Sequence, residues 1–133
     1  MTGQLQKRGF FHFFPRWSLF LAWGIAIAWL SLTPKPPEIE LGFFGWDKFQ
    51  HAAAYGVLTT LACRAYGCFS CGIKLCWLRA MATTVIFGGL IEVAQGLFTE
   101  TRAAEFSDLL ADLIGALCAY AIGMAVTSGR GDK

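Results

Sequence analysis

Three stretches of this chain carry no charged residue, and they restrict what it can fold into. Residues 17–32, 81–91 and 113–126 consist almost entirely of apolar and small side chains. Over the whole chain 56% of residues are hydrophobic and 15% are charged, whereas soluble domains have about 25% charged residues. A chain of 133 residues with this composition is long enough for one domain. We therefore predict a single integral membrane domain.

Four helices are predicted. Residues 17–33 would form a first helix about 25 Å long, enough to span a bilayer core. Prolines 34, 36 and 37 end it, because proline lacks a backbone donor and restrains its predecessor. A basic segment before an apolar stretch also describes a signal peptide, but the cleavage site is weak and a retained signal-anchor helix is favoured. The other helices are expected over 47–66, 79–98 and 106–126, the last with a small-residue face at Gly115, Ala119 and Gly123.

The basic residues predict how the helices are oriented. Eight of the eleven lysines and arginines fall in the N-terminal segment, around the connection between the second and third helices, or in the C-terminal tail. Because cytoplasmic segments are rich in lysine and arginine, we predict an all-α bundle of four transmembrane helices with both termini in the cytoplasm. Residues 1–16 would be a basic cytoplasmic lead-in, 17–126 the membrane domain and 127–133 a cytoplasmic tail.

Ionisable side chains from three helices are expected to meet in one layer below the outer surface. Asp47, His51 and Tyr55 share a face of the second helix at i, i+4 and i+8. Glu92 lies about 9 Å from the end of the third helix and Asp112 about 9 Å from the start of the fourth. Charged groups beside membrane-length apolar segments are costly and usually mark function. The candidate site also includes Lys48, Gln95, Arg102, Glu105 and Asp108.

The residue types in this layer suggest acid–base chemistry beside a phosphate site. His51 with Glu92 or Asp112 could act as a general acid–base pair, and these three are the candidate catalytic residues. Arg102 and Lys48 could hold a phosphate. The candidate ligand-binding residues are Asp47, Lys48, Tyr55, Gln95, Arg102, Glu105 and Asp108.

The alternative is a buried polar network that only holds the helices in register. Lys48 would then pair with Asp47, His51 would bond Glu92, and Arg102 would pair with Glu105 or Asp108. Polar bonds between membrane helices contribute about 1 kcal/mol or less each. The interpretation as a site is favoured, because apolar packing could hold the helices together more cheaply.

Several motifs in this region, in the same order, resemble the VanZ-like family of small membrane proteins over about residues 47–123. They read Asp47-Lys48-x-x-His51-x-x-x-Tyr55, then Glu92-x-x-Gln95, then Arg102-x-x-Glu105-x-x-Asp108-x-x-Ala111-Asp112-x-x-Gly115. The resemblance implies a multi-pass protein of the bacterial cytoplasmic (inner) membrane, in a family named for a protein linked to teicoplanin resistance. It implies no particular reaction. The family commonly has asparagine where this chain has Asp112, so this position can add a negative charge.

Metal sites are considered in two places, and none is assigned. His51, Glu92, Asp108 and Asp112 form a mixed set that suits several divalent ions, although their spacing matches no metal motif. Cysteines at 63, 68, 71 and 76 flank the second connection, where four thiolates could bind zinc or an iron–sulfur cluster. Reduced thiols are favoured there, because the cytoplasm disfavours disulfides. The cofactor is left open.

We expect the site to bind or modify an anionic or lipid-linked envelope component, with the resemblance suggesting glycopeptide resistance or envelope homeostasis. A non-catalytic scaffold or assembly factor is the alternative, and a small transporter subunit is the third interpretation. The expected partners are the lipid bilayer and that ligand, with an oligomer left open. No nucleic-acid partner is expected, because the basic residues form no phosphate-tracking stripe.

Overall fold

A computed structural model describes residues 2–33, 47–67, 72–99 and 105–128, with side chains from Pro15 onward. The described chain is all-helical. Its helices are α1 (Thr2–Leu32), α2 (Asp47–Tyr66), α3 (Ile73–Phe98) and α4 (Phe106–Ser128). All four predicted helices are therefore present, and α2 has the predicted bounds.

Three of the helices are long and apolar enough to cross a membrane. The spans are Pro15–Leu32 within α1, Ile73–Phe98 and Phe106–Ser128. The remaining helix, α2, carries Asp47, Lys48 and His51 in its first five residues and Arg64 near its end, so it is not among the apolar spans found in the described part of the chain. The apolar helices fit a membrane protein, and the four-span topology and its orientation stay predictions.

Two helices begin earlier than predicted, and α4 ends two residues later, at Ser128. The N-terminal helix α1 begins at Thr2 and continues through Pro15, so most of the basic lead-in is helical. The third helix α3 begins at Ile73, directly after Gly72, rather than at residue 79. Residues 73–78 contain no glycine or proline, and the burial of Cys76 and Trp77 adds packing that favours the helical turn.

The central helix is α2, which packs against α1, α3 and α4. Glycine makes its contact with α4 close: a Cβ at position 115 would collide with the carbonyl oxygen of Ala52, and a Cβ at position 56 would lie 3.3 Å from the carbonyl oxygen of Gly115. At the other end of α4, Gly123 lies against the indole of Trp77. Gly115 and Gly123 thus make close helix contacts, as predicted, although with two different helices.

The bundle has an apolar buried core and, separately, an apolar face on its outside. An apolar cluster of Ala62, Cys63, Cys76, Trp77 and Ala80 joins α2 to α3, with Ala119, Tyr120 and Met124 of α4 packed against it. Facing outward, α3 exposes Ile86, Leu90, Val93 and Leu97. These four residues recur every three or four positions and so form one apolar face. A continuous exposed face of this kind suits contact with lipid.

Candidate functional site

The polar residues meet where the first two turns of α2, the last turns of α3 and the start of α4 come together. The N-terminus of α2 supplies Asp47, Lys48 and His51. Facing it, α4 and the residue before it supply Glu105, Asp108 and Asp112, and α3 supplies Glu92. We call these seven residues the polar cluster.

Lys48 links α2 to α4 through carboxylates. Its Nζ donates to Asp108 and to Glu105 Oε2 at 2.9 Å, and lies 3.4 Å from Asp47 Oδ2. The predicted pair with Asp47 is therefore present, but it is the longest of the three contacts. Because three carboxylates already surround the ammonium, the geometry does not favour the expected role of Lys48 as a phosphate-binding charge.

His51 is held at one ring nitrogen and open at the other. Its Nδ1 lies 3.0 Å from Oδ1 of Asp112, a residue that is 1% exposed. Its Nε2 lies 3.8 Å from Asp108 Oδ2 and 4.0 Å from Asp47 Oδ1, which is beyond hydrogen-bonding distance. An ionised carboxylate only accepts hydrogen bonds, so Asp112 favours the tautomer with the proton on Nδ1. In the neutral ring the lone pair is then on Nε2, which faces two carboxylates.

Tyr55 lies behind this pair, one turn further along α2. Its hydroxyl lies close to Asp112 Oδ2 beside Gly88, and the residue is 1% exposed. Room for the two side chains comes from Gly88 of α3, where a Cβ would lie 2.7 Å from Asp112 Oδ2 and 3.1 Å from the Tyr55 ring. Tyr55 is therefore both a core residue and a support for Asp112. Gly88 was not among the residues predicted from the sequence, where its only signal is a Gly-Gly pair inside an apolar helix.

Glu92 and Gln95 tie α3 to its neighbours. Glu92 is buried and its Oε2 accepts a hydrogen bond of 2.8 Å from the backbone N–H of Glu105, just before α4. His51 is thus paired with Asp112, and not with Glu92 as the network interpretation expected. Gln95 donates from Nε2 to the carbonyl oxygen of Ser31 at 3.0 Å, so its bond is to α1 and not to the polar cluster.

The polar cluster is rich in negative charge. Among the described residues, five carboxylates (Asp47, Glu92, Glu105, Asp108 and Asp112) lie around one ammonium and one imidazole. At the surface, hydrogen bonds from Lys48 and then from Ser107 hold the pKa of Glu105 below its usual value. This charge balance disfavours direct contact with an anionic ligand.

Metal-ligating groups meet in a set different from the predicted one. One ligand atom from each of Asp47, His51 and Asp108 lies within 4.8 Å of the other two. The predicted set shares His51 and Asp108 with this group. Its other members bond elsewhere, Asp112 to His51 Nδ1 and Glu92 to the backbone N–H of Glu105. In the sequence, the i, i+4 spacing of Asp47 and His51 already indicated that Asp47 lies on the same helix face as His51.

The expectation that the cysteines are reduced thiols is wrong for Cys76. Cys63 and Cys118 are free, but Cys76 is disulfide-bonded. A thiol used in a disulfide is not available as a metal ligand, so the four-thiolate site is not formed. Cys68, Cys71 and the candidate phosphate ligand Arg102 lie outside the described residues.

Comparison with known proteins adds no further assignment to this geometry. The chain matches no protein-family model, no curated protein and no solved structure.

Proposed function

We propose that this chain is a VanZ-like integral protein of the bacterial cytoplasmic membrane whose polar cluster binds or modifies the headgroup of an anionic or lipid-linked envelope component. One observation carries the proposal: His51 is fixed through Nδ1 by the buried Asp112, while Nε2 has no hydrogen-bond partner among the described residues. Groups that only hold helices together do not need one reactive atom left open. Nε2 is the atom left to contact a bound ligand, directly or through a bridging group.

A four-span topology is supported by the position of α2. It packs against three helices that are each long and apolar enough to cross a membrane. The N-terminal helix α1 also belongs to the bundle, because Trp23 Nε1 donates to the carbonyl oxygen of Ala54 at 3.0 Å and Ile27 is buried. The proposed arrangement is four spans, with α2 as the shielded central span.

The orientation we propose has both termini in the cytoplasm and the polar cluster at the outer side, following the distribution of basic residues. The disulfide at Cys76 favours the opposite orientation, because disulfides persist in oxidising compartments. A C-terminal fusion to green fluorescent protein, which fluoresces only when it folds in the cytoplasm, decides between them. Fluorescence supports the proposed orientation, and a dark fusion with an active alkaline phosphatase counterpart contradicts it.

A scaffold is the second candidate, and it is favoured by the links between helices. Lys48 joins α2 to α4, Glu92 joins α3 to the start of α4, and Gln95 joins α3 to α1. Such links would give a rigid platform for a partner protein. They do not account for the open Nε2 of His51, so we rank the headgroup site first.

The test is mass spectrometry of lipids that co-purify with the wild type and with His51→Asn. Asparagine can place its amide nitrogen near the position of Nδ1 and so keep the bond to Asp112, but it has no counterpart of Nε2. The matched control is Thr60→Ala, on the exposed side of the same helix. We expect one class of anionic or polyprenyl-linked lipid to be retained by the wild type and the control and lost in His51→Asn. Identical lipid profiles in all three would favour the scaffold.

A further inference from the structure

We propose that His51, Asp47 and Asp108 form a binding site for a divalent transition-metal ion of the Mn²⁺, Fe²⁺ or Zn²⁺ class. The ligands would be Nε2 of His51, Oδ1 of Asp47 and Oδ2 of Asp108, which converge from α2 and α4. Binding of the ion does not require the lipid headgroup. Its role as a bridge to that headgroup rests on the function proposed above.

The two aspartates divide their oxygen atoms between two neighbours. Asp47 turns Oδ2 to Lys48 and Oδ1 to His51, and Asp108 turns Oδ1 to Lys48 and Oδ2 to His51. Lys48 therefore neutralises part of the cluster without occupying the space next to Nε2. One oxygen of each carboxylate remains directed towards Nε2 of the imidazole.

The distances in this space suit an ion better than a hydrogen bond. Nε2 lies 3.8 Å from Asp108 Oδ2 and 4.0 Å from Asp47 Oδ1. Two ligand atoms bound to one ion at about 2.1 Å are separated by about 3.0–3.5 Å. The two contacts to Nε2 would have to close by up to about 1 Å, which side-chain rotation of the exposed Asp47 and the half-buried His51 can supply.

Asp112 has the position of a carboxylate that orients a metal-binding histidine. Histidine ligands commonly donate their other ring N–H to a carboxylate, which fixes the ring and raises the basicity of the ligating nitrogen. The 3.0 Å contact from Nδ1 to the buried Asp112 has this arrangement, and Tyr55 supports Asp112 from behind. Asp112 would thus be a positioning residue and not a ligand.

An ion would also reconcile the charge of the cluster with an anionic ligand. The carboxylates outnumber the ammonium of Lys48, so a phosphate would be repelled at the bare site. One nitrogen and two carboxylate oxygens suit a transition metal more than Ca²⁺ or Mg²⁺. Three protein ligands leave coordination positions that water or phosphate oxygens can take.

The experiment uses the full chain in detergent, cleared of metal with a chelator and titrated with Mn²⁺. Calorimetry gives the affinity, and pulsed electron paramagnetic resonance detects a coordinated imidazole through its ¹⁴N coupling. We expect one Mn²⁺ per chain with a ¹⁴N signal in the wild type. His51→Asn should lose the signal and most of the affinity, and Asp112→Asn should lower affinity by about 10–100-fold. Glu105→Gln, which removes a neighbouring carboxylate outside the ligand set, should retain the ¹⁴N signal.

Two results would overturn the metal site: no Mn²⁺ binding by the folded wild type, or equal binding without ¹⁴N coupling in the wild type and His51→Asn. Asp108→Asn tests the site again if His51→Asn fails to fold. Lipid analysis of the same samples separates the two proposals. A specific lipid retained by metal-free protein overturns the bridging role and leaves the headgroup site standing. Mn²⁺ binding with generic lipids supports the metal site and overturns the lipid proposal.

Discussion

The two ends of this bundle are built from the same three helices but are held together in different ways. At one end Trp77 of α3 belongs to a buried apolar cluster with Ala62 of α2 and lies against Gly123 of α4. At the other end the same helices meet through ion pairs and hydrogen bonds among Lys48, Asp108 and their neighbours. We call the first the apolar end and the second the polar end.

The difference suggests that the two ends have different roles, one in stability and one in binding. Packing at the apolar end needs no charged group and leaves little freedom, so we expect it to supply most of the stability. The polar end combines buried Asp112 with an open nitrogen on His51. Polar contacts between membrane helices contribute only about 0.6 kcal/mol on average. We therefore expect the polar end to matter more for binding than for holding the bundle together.

The largest effect is expected from Trp77→Ala at the apolar end. Trp77 is 7% exposed and in contact with Gly123, so truncation leaves a large cavity. The unfolding free energy should fall by about 3–5 kcal/mol, measured by denaturant titration in detergent. Trp77→Phe is the control and should lose much less. A loss below about 1 kcal/mol for Trp77→Ala would mean that the apolar end is not the main source of stability.

A smaller loss is expected from Gly115→Ala, between the two ends. The new methyl group would collide with the backbone oxygen of Ala52, so α2 and α4 must move apart. Overpacking of this kind costs about 1–3 kcal/mol. Gly89→Ala in α3 is the matched control, because a Cβ there meets nothing within 4 Å. Equal melting temperatures for the two variants would show that the α2–α4 contact is looser than described.

A still smaller loss is expected from Thr59→Val, which removes a buried hydroxyl near the middle of α2. Thr59 Oγ1 lies 2.8 Å from Thr84 Oγ1 of α3. Thr84 keeps bonds to the carbonyl oxygens of Ala80 and Met81, so its hydroxyl is not left unpaired. The expected loss is about 0.5–1 kcal/mol. If Thr59→Val costs as much as Gly115→Ala, polar contacts contribute more to this bundle than the comparison of the two ends implies.

The smallest effect is a pH dependence at Glu105, on the exposed rim of the polar end. Hydrogen bonds from Lys48 and then Ser107 lower its pKa from the usual 4.5. A lowered pKa means that the contribution to stability is present above pH 4.5 and is lost as the pH falls through the lowered value. Melting curves of the wild type and Glu105→Gln should therefore differ at neutral pH and converge in acid. A difference that persists in acid would contradict this role.

The sequence predicted the helices and the members of the polar cluster better than it predicted their pairings. The apolar stretches and prolines predicted four helices. The predicted start of α3 was wrong, because the true start depends on burial of Trp77 against α4, which no local pattern shows. Periodicity brought His51 and Asp112 into one layer. Their direct contact depends on the close approach of Gly115 to Ala52. That approach is a property of two helices packed together, so it could not be read from either one.

The most direct test of the polar end is a melting-temperature measurement on delipidated wild type and His51→Asn, each with and without added bacterial polar lipid extract. A ligand that binds only the folded state raises its melting temperature. We predict equal melting temperatures without lipid, because asparagine keeps the bond to Asp112, and a rise on lipid addition in the wild type alone. Two results would contradict a ligand site at the polar end. One is an equal rise in both proteins, and the other is a His51→Asn variant that melts as low as Trp77→Ala.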